Sequence, residues 1–194
     1  MGTMRALLAL LLLATLYVAS LVSFPVDRVE VEGLRYLKKE EVLARTRILP
    51  GEPWLWVLPN RLKPLVADPW VAEARLEKPR IGTVRLLLRE REPFLPLSDG
   101  AALAQDGTLL PGGAPWAKGP RVEGKGPLPT QALLALARAY PEAKRLRYTP
   151  AGFWVDLAEG SLFAPDPQLL LEYAQAGRPK GKVFLYSWGV SASP

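Results

Sequence analysis

Residues 71–91 read VAEARLEKPRIGTVRLLLRER, and this stretch decides the fold. Ala72, Ala74 and Leu76 fall on one face of a predicted strand over 71–78, with Glu73, Arg75 and Glu77 opposite. After the turn Pro79-Arg80-Ile81-Gly82, a second strand over 83–91 puts Val84, Leu86 and Leu88 on one face and Arg85, Arg89 and Arg91 on the other. A period of two with one apolar face marks a strand buried on one side. The wet face is set up for cross-strand Glu–Arg pairs, each worth about a few tenths to one kcal/mol.

Upstream, residues 26–33 (VDRVEVEG) carry the same alternation, Val29 and Val31 against Arg28, Glu30 and Glu32, and stop at Gly33. Residues 38–47 form a short predicted helix with Val42 and Leu43 inward. Pro50-Gly51-Glu52-Pro53 makes a turn, and Trp54-Leu55-Trp56 follows. Leu58, Leu62, Leu65 and Val66 are at helical spacing, with Asn60 as the expected N-cap and Asp68-Pro69 as the stop. Pro64 falls near the first turn, where a missing N–H costs least. Strand, two helices and two strands make a two-layer α+β domain over residues 25–93. Trp70 is expected between sheet and helix. One of Trp54 and Trp56 is expected to be exposed, with core or rim packing as one reading and a partner surface as the other.

The N-terminus has another character. Residues 6–24 (ALLALLLLATLYVASLVSF) carry no charge, and about 19 residues at ~1.5 Å each give about 28 Å of helix, close to the ~30 Å of a bilayer's hydrocarbon core. Ala6 and Leu13 lie in its apolar body, Tyr17 and Phe24 toward its far boundary, and residues 1–5 form a short tail. The competing reading is a cleaved leader ending at Val18-Ala19-Ser20, but its apolar region exceeds the usual length and its basic start is Arg5 alone. Basic residues do not orient the segment, because Arg28, Arg35, Lys38 and Lys39 begin a long domain that translocates regardless of charge.

Beyond Pro93 come short apolar runs between Gly and Pro. Ala101–104 and 108–110 flank Gln105-Asp106-Gly107, a hairpin signal because Asp-Gly tolerates positive φ. Apart from the proline-flanked passage Pro120-Arg121-Val122-Glu123-Gly124, residues 112–129 read as loop. Thr130 is the expected N-cap of a helix over 131–140, whose Leu133, Leu134, Leu136, Ala137 and Tyr140 form one stripe. Strands are predicted over 144–149, 153–158 and 161–164, then a helix over 168–176 closed by Gly177. A last strand over 182–190 (KVFLYSWGV) puts Phe184, Tyr186 and Trp188 on one face and Val183, Leu185 and Ser187 on the other. Those aromatics are either core or, on an uncovered edge strand, a partner site.

Composition excludes much chemistry. The chain has no Cys and no His, which removes disulfides, thiolate zinc sites and every Ser-His or Cys-His nucleophile arrangement. Its net charge of +6 is scattered among acids, without the clustering of a nucleic-acid footprint. Asp99, Asp106, Asp156 and Asp166 sit singly in turns or strands, and Gly112-Gly113 opens no phosphate-binding helix. No enzyme and no cofactor are expected.

Val29-Glu30-Val31-Glu32-Gly33, Pro50-Gly51, Asp68-Pro69-Trp70-Val71, Lys78-Pro79, Thr83-Val84 and Glu90-Arg91-Glu92-Pro93, in this order after a single apolar segment, resemble the POTRA domain of the FtsQ/DivIB cell-division family. Residues 94–194 resemble that family's β domain by element order, although Phe184-Leu185-Tyr186 stands where an Asp-Leu-Arg-like stretch is common. The resemblance implies an N-terminal transmembrane helix, a β-α-α-β-β POTRA domain and a C-terminal β-rich domain with two helices. It also implies a single-pass protein of the inner (plasma) membrane at the division septum, with a cytoplasmic N-terminus and extracytoplasmic domains. The implied partners are FtsB/DivIC-like and FtsL-like proteins, and through them the FtsW/FtsI synthase pair, the FtsB-like chain pairing with the last strands near Phe184, Tyr186 and Trp188. The alternatives are a POTRA protein of polypeptide transport or outer-membrane assembly, a membrane-anchored cell-wall enzyme, and a secreted binding protein.

Overall fold

A computed structural model describes the backbone of residues 2–177 and 179–193, and the same side chains except those at 2, 3 and 21. Met1, in the expected tail, and Arg178 and Pro194, in the expected β domain, lie outside the described residues. The chain forms two compact units, residues 1–91 and 92–194.

Unit 1 begins with α1 (Gly2–Ser23), whose described side chains from 4 to 19 are all exposed. Among the described residues no helix is long and apolar enough to cross a membrane, so the transmembrane helix expected over 6–24 is not a finding of the structure. Next come β1 (Arg28–Glu32), α2 (Lys39–Thr46), 3-10 turns at Trp54–Trp56 and Pro59–Leu62, α3 (Lys63–Val66), β2 (Val71–Arg80) and β3 (Thr83–Glu90). The sheet order is β1-β3-β2, with β1 parallel and β2 antiparallel to β3. Mixed α+β architecture is thus observed. Leu86 is fully buried at the centre of the apolar face, and Leu76 of β2 and Val31 of β1 stand opposite it in register. On the wet face Glu30 pairs with Arg85 at 3.0 Å and Glu73 with Arg89 at 3.5 Å. The hydrogen bond from Arg75 holds the Glu73 carboxyl below its ordinary pKa.

Three local expectations are corrected. The second helix is divided into the 3-10 turn Pro59–Leu62 and a four-residue α3, because Pro59 and Pro64, each at the start of one of these pieces, have no N–H to continue an amide ladder through them. Asn60 is therefore inside a 3-10 turn rather than capping it, and Leu58 and Val66 are exposed. A register shift between Val71 and Glu73 sends Val71 into the core, where alternation had pointed to Ala72. Trp70 is half-buried, its ring 5.2 Å from that of Tyr36, instead of filling the core.

Glu90 ends β3 on its core-facing side and is nearly buried. Its carboxylate accepts the backbone N–H groups of Arg35, Tyr36 and Leu37 at 3.0, 2.7 and 3.1 Å. Charge-assisted bonds of this kind offset the cost of taking the carboxylate from water, and they fix the loop after β1. Gly33, at φ +87, starts that loop; a Cβ there would collide with the Leu88 carbonyl oxygen.

Unit 2 contains a three-stranded sheet, β4 (Pro93–Pro96), β5 (Ala102–Ala104) and β6 (Leu109–Leu110), in sequential order. The 3-10 turn Ala114–Trp116 follows. A six-stranded sheet holds β7 (Arg121–Gly124), β8 (Arg145–Thr149), β9 (Gly152–Asp156), β10 (Gly160–Ala164), β11 (Gly181–Tyr186) and β12 (Gly189–Ser193), in the order β12-β11-β10-β9-β8-β7. Helices α4 (Thr130–Ala139) and α5 (Pro167–Tyr173) bury their stripes on one face of it. The stripe Leu133, Leu134, Leu136, Ala137 and Tyr140 is buried throughout. Thr130 is the first residue of α4 and makes no capping bond, whereas Asp166 caps α5 by accepting from the Gln168 N–H at 2.9 Å.

Two further expectations fail here. Residues 121–124, the proline-flanked passage to which no strand is assigned above, form β7, because a parallel strand needs no local turn to announce it. The single last strand over 182–190 is a hairpin, folded at Ser187 and Trp188.

Candidate partner-binding surface

The register of the six-stranded sheet sorts its side chains into two faces. Val122, Leu146, Val155, Leu162 and Val183 form one row across β7 to β11, and all are buried beneath the helices. One residue along each strand, the opposite face presents Glu123, Arg147, Trp154, Phe163 and Phe184 in a second row. Trp154, Phe163 and Phe184 are each half-buried on that face.

The aromatic side chains touch in sequence. Ring centroids are 4.8 Å apart for Trp154 and Phe163, 5.6 Å for Trp154 and Phe184, and 6.4 Å for Phe163 and Tyr186. Trp188, in the β11–β12 turn and 81% exposed, stacks on Tyr186. At the other end the Arg147 guanidinium lies 4.9 Å over the Trp154 ring. Arg147 and Arg145 both bond Asp156 at 2.9 Å, and Arg145 reaches Glu123 at 3.4 Å. The Asp156 hydrogen bond holds the Arg145 guanidinium protonated beyond its ordinary pKa. The face thus grades from a charged network at β7–β8 to an aromatic strip at β9–β11.

Beside the strip, β12 ends the sheet. Gly189, Val190, Ser191, Ala192 and Ser193 bring no charge and no proline, the usual guards of a strand edge. The opposite edge differs, since Leu97 bridges to Val122 of β7. Edge, small side chains and adjacent aromatics suit an extended peptide that adds a strand.

Of the three residues expected to bind a partner, Phe184 and Tyr186 lie on this outer face and Trp188 joins them from the turn. The edge strand is β12, not β11, which pairs on both sides. Trp154 and Phe163 complete the strip and were not singled out in the sequence. The signal was present: in β9, β10 and β11 an aromatic stands beside a core aliphatic, as Trp154-Val155, Leu162-Phe163 and Val183-Phe184. The expected anchor residues Ala6, Leu13 and Tyr17 lie exposed on α1, and Phe24 just past its end. Among the described residues no group of carboxylates is arranged to hold a metal ion.

A three-stranded β1-β3-β2 sheet with helices between its first and second strands defines a POTRA-class domain. Residues 24–91 match the family model of the POTRA domain, FtsQ-type, and this match supports the resemblance to the FtsQ/DivIB family. A domain of this type points to a cell-division protein that acts through protein–protein interaction and is generally without enzymatic activity. No curated protein matches the chain.

Proposed function

We propose that this chain is a non-enzymatic, single-pass scaffold of the bacterial cell-division machinery, anchored in the inner membrane by residues 6–24. The FtsQ-type POTRA match over residues 24–91, directly after an apolar helix, carries the reading. The N-terminus is cytoplasmic and the two folded units are extracytoplasmic, at the septum. An FtsB/DivIC-like chain adds a strand to β12 and packs on Tyr186 and Trp188. An FtsL-like protein joins it, and the complex regulates an FtsW/FtsI-type synthase pair. The absence of charge and proline in β12 and the aromatic strip beside it support that placement.

Co-purification of the full chain with FtsB-like and FtsL-like proteins, extracted from membranes in mild detergent, tests the function. Recovery of neither would defeat it. A C-terminal alkaline phosphatase fusion tests topology separately, and an active fusion is expected.

A further inference from the structure

The end of unit 1 from which α1 emerges carries the exposed apolar side chains of Phe24, Leu55, Trp56 and Ile81, exposed by 38%, 50%, 40% and 62%. They come from three separate places in the chain, and backbone bonds gather them. The Trp54 N–H donates to the Phe24 carbonyl at 2.9 Å, and Pro25 bridges to Pro53. The N–H groups of Asp27 and Arg28 donate to the Gly82 carbonyl at 2.7 and 3.1 Å, which brings the β2–β3 turn with Ile81 to the same end. Lys78 donates to the carbonyls of Trp54 and Leu55 at 2.7 and 3.2 Å. With about three residues per turn, the 3-10 turn sends Trp54 toward the core and leaves Leu55 and Trp56 outside.

Trp56 also reaches back along α1. Its indole N–H donates to the Ser20 hydroxyl at 2.9 Å, and its ring meets that of Tyr17 edge-on at 6.0 Å. At about 1.5 Å per residue, Ser20 and Tyr17 lie about 6 and 10 Å before Phe24 along the helix. A helix that spans the bilayer up to Phe24 therefore carries Trp56 to the depth of its own last two turns.

We infer that the POTRA unit rests on the bilayer itself, with Leu55, Trp56 and Ile81 seated at the boundary between headgroups and acyl chains of the outer leaflet. The inference rests on the anchorage proposed for residues 6–24. Lipid is the occupant because Trp56 joins the patch to the exposed apolar side chains of α1 through Tyr17, and Trp and Tyr are the residues that favour this boundary. Arg80, exposed next to Ile81, is long enough to keep its charge among the headgroups. The consequence is a POTRA unit held at a fixed attitude on the membrane rather than swinging on a tether.

The chain has no Cys, so single labelling sites are available. Leu55→Cys, Ile81→Cys, Arg89→Cys and Leu12→Cys full-length proteins are each labelled with a nitrobenzoxadiazole fluorophore and reconstituted into phosphatidylethanolamine/phosphatidylglycerol vesicles with doxyl-lipid quencher. Arg89 stands near the far end of β3, about 23 Å from Gly82 at ~3.3 Å per residue. Blue-shifted, lipid-quenched emission is expected at 55, 81 and 12, and water-like emission at 89. Water-like emission at 55 and 81 with lipid-like emission at 12 would refute the docking and leave the anchor standing. Water-like emission at 12 as well would refute the anchorage and the docking with it. Shielding of 55 that appears only when FtsB-like and FtsL-like proteins are added would assign the patch to protein instead, and overturn the proposal.

Discussion

The rings of Tyr186 and Trp188 stack with centroids 5.1 Å apart and planes 5° from parallel. One residue ends β11 and the other sits in the turn, so the stack carries the aromatic strip out to the sheet edge where a partner strand would arrive.

Trp188 is 81% exposed and takes no part in the core, so Trp188→Ala should leave the thermal melt of a 25–194 fragment unchanged. Binding of an FtsB-like partner should weaken by about 2 kcal/mol, roughly 30-fold in Kd, as expected for an aromatic hot spot. Tyr186→Ala should act in the same direction. Titration calorimetry with both variants checks this; wild-type affinity in both would remove the site from this face.

If the partner pairs with β12, the backbone groups on its outer side gain hydrogen bonds. Hydrogen–deuterium exchange of amides in 189–193 should then slow on complex formation, while exchange at the other edge, β7, stays the same. Protection at 121–124 without protection at 189–193 would move the contact to the wrong edge.

Leu86 is fully buried between its register partners Val31 and Leu76. Leu86→Ala should cost about 2–5 kcal/mol, the range for deleting a buried leucine side chain. Urea unfolding of the 25–194 fragment measures it. A loss under about 0.5 kcal/mol would contradict a closed core at that position.

The Glu90 carboxylate holds three backbone N–H groups, and Glu90→Gln replaces one acceptor oxygen with a donor facing them. A loss of about 1–3 kcal/mol is expected from the unsatisfied donors. The same variant should speed amide exchange at Arg35, Tyr36 and Leu37 specifically. Unchanged exchange there would mean the loop is held by other contacts.

The buried and wet faces of the elements are legible in the residue pattern. Alternation in residues 28–32 and 83–90 fixed which side of the sheet is apolar, and so located Leu86. Helical spacing fixed the stripe of α4 from Leu133 to Tyr140. Which strands become neighbours depends on packing between distant parts of the chain. Val122 pairs in parallel with Leu146 across the whole of α4, and no local pattern encodes a partner that distant. Packing also decides where a continuous apolar run turns back: residues 182–190 contain no Asp-Gly or Asn-Gly pair, yet the chain reverses at Ser187 and Trp188 because β12 completes its ladder on β11. Trp154 and Phe163 each adjoin a core aliphatic in short strands, so the residue pattern offers the pairs but only the sheet register brings their aromatic members into one strip. Burial of Glu90 and the reach of Trp56 to Ser20 depend on groups 53 to 55 and 36 residues apart, brought together by packing rather than by sequence proximity.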